Sequence, residues 1–135
     1  ECYEKQDIVI KAAAVADYRP KFISDEKIKK KDGGLSLELE RTDDILAYLG
    51  EHKTENQFIC GFSMETSNMI ANSRSKLERK KINMIVANNL KQEGAGFGGN
   101  TNIVTLITKD WQIDLPKMSK FDTASAIVDE ILKQM

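Results

Sequence analysis

Three short apolar runs rich in β-branched residues, with helical periodicity between them, and a later pair of β-rich runs two residues apart predict an α/β fold. The form expected is a three-layer, Rossmann-like sandwich with a mostly parallel sheet, an antiparallel edge hairpin and a flap. The first run, Ile8, Val9 and Ile10, has the composition of a strand covered on both faces. It stops in Ala12, Ala13 and Ala14, side chains small enough to let a ligand approach the backbone at the strand's end. Asp17, Tyr18, Arg19 and Pro20 follow. An alanine-rich strand end with a solvated Asp17 in a turn explains these residues as well as a nucleotide site does.

The remaining elements come in order. Lys27–Asp32, KIKKKD, is a cationic run closed by Gly33 and Gly34, and a solvated loop accounts for it. Leu35, Leu37 and Leu39 alternate with polar residues at the period of a strand with one wet face. Loop and strand together predict a flap over about 20–41. Thr42 is placed to cap a helix with Asp43 and Asp44 in its first turn and Ile45, Leu46, Tyr48 and Leu49 on its apolar stripe. Gln57–Gly61 is the next strand, with Phe62 just beyond it as either a core plug or a plate for a planar ring. Thr66 or Ser67 caps a helix running to about Lys80.

On that helix Met69, Ser73, Lys76 and Lys80 share a face. The two lysines lie about 6 Å apart along the axis, a repulsion best relieved by an anion, although a solvated basic face is ordinary. Ile82–Ala87 is the third buried strand, and the amides of Asn88 and Asn89 either turn the chain, the simpler reading, or hold a ligand. Lys91–Gly99 holds four glycines but lacks the Lys-Ser/Thr ending of a phosphate loop. Thr101–Thr108 and Trp111–Leu115 predict the hairpin. Ser119 caps a last helix whose buried stripe is expected to be Ala124, Ile127, Val128, Ile131 and Leu132.

Length and charge bound the function. With 135 residues the chain makes one compact core. Its 20 basic against 21 acidic residues give no global pull on nucleic acid or membrane, so an anion site must be built locally. No run reaches transmembrane length and no signal pattern opens the chain. Two cysteines far apart suggest no disulfide scaffold, so a reducing cytosolic setting is the expected one. Cys2 and Cys60 lack metal-ligand spacing, and no Ser-His-Asp or Cys-His set is in prospect around the single histidine, His52. The opening ECYEKQ reads as the end of a helix, and the missing initiator Met predicts a fragment. In this topology the ends of the three parallel strands meet along one rim, where Asp17, the turn with Asp44, Phe62 and Asn88 can gather, with Lys76 and Lys80 one helix face away. An acid, several lysines and an aromatic plate without a nucleophile suit charge neutralisation on a polyphosphate.

Six segments, AAAVADYRP, KIKK, TDDIL, GFSMET, KLERKKINMIVAN and GFGGNTNIVTLIT, resemble in order the motifs of bacterial phosphopantothenoylcysteine synthetase, also called phosphopantothenate-cysteine ligase. The resemblance covers essentially all 135 residues. It implies a ligase that uses CTP and Mg²⁺ to activate 4'-phosphopantothenate as an acyl-cytidylate, after which the amine of cysteine displaces CMP. It also implies a homodimer whose flap completes the neighbouring site, and an N-terminal flavin-dependent decarboxylase half, which would hold FMN. For the nucleotide it implies Lys11, Ala12, Ala13, Asp17, Lys27, Asp43, Asp44, Ile45, Leu46, Phe62, Lys76 and Lys80. Asp17 would also face the cation, Ala14 the pantothenate chain, and Lys27 would be the catalytic flap lysine. Asp43 replaces a usual proline, Met64 a smaller residue, and Asn83 a common Asp. The family's Gly-rich phosphate loop and an upstream Asn would lie before Glu1. A nucleotide-binding or assembly domain without chemistry of its own is the rival; a dehydrogenase is disfavoured because no G-x-G-x-x-G follows a strand.

Overall fold

The computed structural model describes residues 2–29, 32–65, 67–89 and 99–135. The chain forms two compact units, Glu1–Ala12 with Ile45–Met135, and Ala13–Asp44. The first is an α/β unit built on a five-stranded mixed sheet. Strands β1 (Ile8–Lys11), β4 (Phe58–Glu65) and β5 (Met84–Asn89) are parallel neighbours, with Ile8 opposite Phe58 and Cys60 opposite Met84. Beyond β5 lie β7 (Val104–Ile107) and β8 (Gln112–Asp114), each antiparallel to the strand before it. Two ladders of four are therefore parallel, so the sheet is evenly mixed rather than mostly parallel. The hairpin sits at one edge and is antiparallel, as expected, both within itself and to β5.

Both faces of the central strands β4, β5 and β7 are covered, which is why they read as continuous apolar runs, whereas the edge strands are less enclosed than their sequences predict: Ile10 of β1 is 39% exposed and β8 is exposed along its length. On one face Ile59, Ile85, Ala87 and Ile107 pack with Leu46 and Leu49 of α1 (Ile45–His52) and Leu77 of α2 (Met69–Arg79). On the other, Phe58, Cys60, Met84, Val86, Val104 and Leu106 pack with Ile127 and Ile131 of α3 (Lys120–Leu132). Each fully buried side chain of this size stabilises the fold by about 1.5–3 kcal/mol. A short 3-10 turn, Tyr3–Lys5, precedes β1 where a helix end was expected. The Gln57 side-chain amide ties it down by donating to the carbonyls of Tyr3 and Gln6, both at 2.8 Å.

Several boundaries differ from expectation for identifiable reasons. Strand β4 runs on to Glu65 because the buried Ser63 hydroxyl bonds that of Ser73 at 2.8 Å, which removes the cost of a polar residue inside. Asn88 and Asn89 continue β5 rather than turn the chain, and the Asn88 amide donates to Asn102 Oδ1 at 3.1 Å. The first hairpin run is broken into β6 (Thr101–Asn102), which pairs with β9 (Met118–Ser119), and β7. Helix α2 starts at Met69 behind Asn68 in the left-handed region at φ 48°, two residues after Ser67; Thr66 lies outside the described residues, as does the predicted glycine loop from 91 to 98. Ser119 does cap α3, accepting from the Asp122 N–H at 3.0 Å. The buried row of that helix is Thr123, Ile127 and Ile131, however, and Val128 and Leu132 are 40% and 58% exposed.

The second unit carries β2 (Tyr18–Pro20) and β3 (Leu39–Arg41) as an antiparallel ribbon. An Arg19–Glu40 ion pair at 2.8 Å and a Lys21–Glu38 pair hold it across the strands. Thr42 does not cap α1: its hydroxyl bonds the Ala16 carbonyl and its N–H the Asp17 carbonyl, so it belongs to the ribbon. Asp43 and Asp44 accordingly precede the helix instead of lying in its first turn. Leu35, Leu37 and Leu39 are all more than half exposed, so the alternating period found no cover.

Burial separates the two thiols. Cys2 is exposed, whereas Cys60 is fully buried and desolvation pushes its thiol up from 9.0 to about 12. A thiol reagent at neutral pH is expected to modify Cys2 within minutes and Cys60 only on unfolding, a difference that mass spectrometry reads. Because the folded pKa is the higher one, Cys60 costs nothing below pH 9. From about pH 9 to 12 the unfolded thiolate is favoured and stability falls as pH rises.

Candidate functional site

Parallel pairing of β1, β4 and β5 puts their C-terminal ends on one margin of the sheet, the usual place for a ligand in such folds. Partly buried Lys11 ends β1, and Phe62 to Glu65 end β4. Asn88 near the end of β5 has its Oδ1 buried with no hydrogen-bond partner among the described residues, while its amide nitrogen donates to Asn102. Just past this margin α2 begins. A cleft of about 230 Å³ lies there, lined by Glu65, Asn72, Ser75, Lys76 and Arg79. Lys76 Nζ stands 3.6 Å from Glu65 Oε1, with the two side chains only 27% and 18% exposed. The Asn72 amide donates to Glu65 Oε2 and to the Ser67 carbonyl, both at 3.1 Å.

The other predicted residues fall as follows. Lys11, Ala12, Ile45, Leu46, Phe62, Lys76 and Lys80 belong to the first unit; Ala13, Ala14, Asp17, Lys27, Asp43 and Asp44 belong to the second. Leu46 is a core residue whose side chain packs on Gly61, so its side chain is not available to a ligand. Phe62 is partly buried against the cluster under α3, which favours the core role for its ring. Lys80 is the C-cap of α2, one turn further from the sheet margin than Lys76, and its carbonyl abuts Gly50 of α1. Asp17 and Lys27 are exposed. Among the described residues no cluster of three or more His, Cys, Asp or Glu side chains could hold a metal. No helix described is long and apolar enough to cross a membrane.

Sequence reasoning missed Glu65, Asn72 and Arg74. The Arg74 guanidinium donates to the Thr108 and Lys109 carbonyls at 3.3 and 3.5 Å and to Gln112 Oε1 at 3.1 Å, tying α2 to the β7–β8 turn. Asn83 was noted only as a substitution, yet its Oδ1 accepts from Lys53 Nζ at 2.7 Å and the Ile59 N–H at 3.0 Å. Desolvation there lowers the Lys53 pKa, and an uncharged amide at 83 joins β4 to β5 without needing a full ion pair. The one available signal for Glu65 was an acid at the C-terminal end of an apolar strand.

The family profile described as DNA/pantothenate metabolism flavoprotein C-terminal domain matches residues 1–135. The coenzyme A biosynthesis bifunctional protein CoaBC of Bacillus subtilis (strain 168) is 52% identical over 130 residues, which is 96% of this chain and 32% of that protein. A cysteine/cysteine sulfinic acid decarboxylase of an unknown prokaryotic organism is 46% identical over 133 residues, 98% of this chain and 37% of that one. The crystal structure of the C-terminal domain of a CoaBC protein superposes with a TM-score of 0.73 at 42% identity, covering 96% of this chain and 55% of the other. The chain spans about a third of the length of the curated relatives it matches. With the whole chain matched and half its residues shared with the Bacillus protein, it belongs to the DNA/pantothenate metabolism flavoprotein C-terminal domain family, as the six motifs led us to expect.

Proposed function

We propose that the chain is the greater part of a phosphopantothenoylcysteine synthetase domain, a ligase of coenzyme A biosynthesis that joins 4'-phosphopantothenate to cysteine through an acyl-cytidylate, consuming CTP and releasing pyrophosphate and CMP. Identity of 52% to a coenzyme A biosynthesis protein across nearly the full chain carries this reading. Lys76 at the margin of a parallel sheet supports it, because a cation there can offset charge growing on a leaving pyrophosphate. On this reading the fold is a three-layer, Rossmann-like sandwich. Lys11, Ala12 and Ala13 present backbone to the nucleotide, Ala14 faces the pantothenate chain, and Asp43 to Leu46 with Phe62 and Lys80 complete its surroundings.

A single exposed carboxylate, Asp17, fits Mg²⁺, which commonly takes one or two carboxylates together with phosphate oxygens. The cation would lower the cost of charge building on the phosphates. The protein works in the cytoplasm as a homodimer, alongside a decarboxylase domain that holds the FMN. In the natural full-length protein, pyrophosphate release is expected only when CTP and 4'-phosphopantothenate are both present, and the amide product only when cysteine is added. CTP binding by calorimetry without any turnover would instead identify a nucleotide-binding domain that lacks chemistry.

A further inference from the structure

We propose that Glu65 is a positioning residue for Lys76: it pins the lysine's ammonium at the cleft and, as its resident counter-ion, limits how tightly that ammonium can grip a nucleotide's phosphates. This rests on the reading of Lys76 as a nucleotide lysine and adds a residue to it. Lysine side chains on an open helix face ordinarily sample many rotamers. Lys76 is instead three-quarters buried, with Nζ 3.6 Å from Glu65 Oε1. The carboxylate is itself fixed, because the Asn72 amide holds its other oxygen at 3.1 Å while also bonding the Ser67 carbonyl at 3.1 Å. Glu65 cannot swing clear without breaking the contact that joins the end of β4 to the first turn of α2.

An anion entering the cleft therefore meets a cation already shared with the protein. Part of the attraction is offset by the loss or weakening of the Glu65 pair. The sequence pairing of Lys76 with Lys80 anticipated an anion between the two; the structure supplies one for Lys76 from the protein itself. A ligase must release charged products as well as bind a charged substrate, and a built-in carboxylate keeps the lysine from holding either too firmly.

Glu65→Gln keeps the length of the side chain and an acceptor for Asn72 but removes the charge. In the natural full-length protein, calorimetry should find CTP bound roughly two- to five-fold more tightly at low salt, the range a partly exposed charge pair supplies, with the gain shrinking as salt rises. Lys76→Gln should weaken CTP binding, and adding Glu65→Gln to it should change nothing more. Glu65→Asp, which draws the carboxylate back by one methylene, should fall between wild type and Glu65→Gln, and it serves as a second variant if the first folds poorly. Unchanged or weaker CTP binding in Glu65→Gln, or a gain that persists without Lys76, would overturn the proposal. If Lys76→Gln leaves CTP affinity unaltered, the nucleotide reading of Lys76 fails and this proposal with it. If Lys76→Gln weakens binding while Glu65→Gln is silent, only the role of Glu65 fails.

Discussion

Replacing Gly50 by alanine is expected to destabilise the domain by about 3 kcal/mol, roughly 10 °C in melting temperature, although alanine is the better helix former. Gly50 lies inside α1, where propensity alone predicts a gain of about 1 kcal/mol. A Cβ at this position would stand 1.8 Å from the Lys80 carbonyl oxygen, 3.0 Å from its carbon and 3.1 Å from Ile82 Cγ2. Two of these three atoms are backbone and cannot rotate aside, so α1 and the end of α2 must part. That separation exposes Leu46, Leu49 and Leu77, the side chains packed beneath them. Gly34 provides the control, since nothing lies within 4 Å of a Cβ there and its φ is not positive. Gly34→Ala should leave the thermal midpoint where it was. A midpoint for Gly50→Ala equal to or above wild type would mean that the close approach of the two helices relaxes at no cost.

What the sequence disclosed about this architecture follows from burial. The strand around Ile59 and Cys60 and the run around Ile85 and Val86 are covered on both sides, and that leaves an unbroken apolar signature; Ile8–Ile10 carries the same signature at the sheet's edge, where Ile8 and Val9 are only partly buried and Ile10 is 39% exposed. Polar residues that are buried with a partner leave none. Ser63 needed Ser73, and Asn88 needed Asn102, before either could sit in a strand, so both strands were read short. On α3 two apolar rows one residue apart compete. Only the sheet decides that Thr123, Ile127 and Ile131 face inward, and Thr123 can do so because its hydroxyl donates to the Ser119 carbonyl at 2.8 Å.

The candidate site was legible to a similar degree. Strand ends and the α2 lysine were readable from spacing, whereas Glu65 and Asn72 act through distances of 3.6 and 3.1 Å across a turn, which no periodicity encodes. The leucines at 35, 37 and 39 show the opposite failure. A clean alternation was present, but the described chain buries none of them.

Lys27→Gln is expected to slow formation of the amide product by about 10²- to 10³-fold, with CTP still consumed in a first burst of pyrophosphate. In the proposed reaction the attack of the cysteine amine on the acyl-cytidylate builds negative charge on the carbonyl oxygen and on the departing CMP phosphate. A lysine ammonium can offset that charge, and glutamine keeps the hydrogen bond but not the charge. The burst should persist because forming the acyl-cytidylate draws on other cations, Lys76 among them. Lys27 is exposed in the segment between Ser24 and Gly33 and makes no ion pair with a described residue. Its loss should therefore leave the melting temperature unchanged, so a drop in turnover reports on chemistry and not on folding. Rapid-quench analysis of full-length Lys27→Gln with CTP and 4'-phosphopantothenate should show the acyl-cytidylate accumulating before cysteine is added and persisting after it. Wild-type rates of amide formation in that variant would remove Lys27 from the reaction, while loss of the pyrophosphate burst would move its role to the activation step.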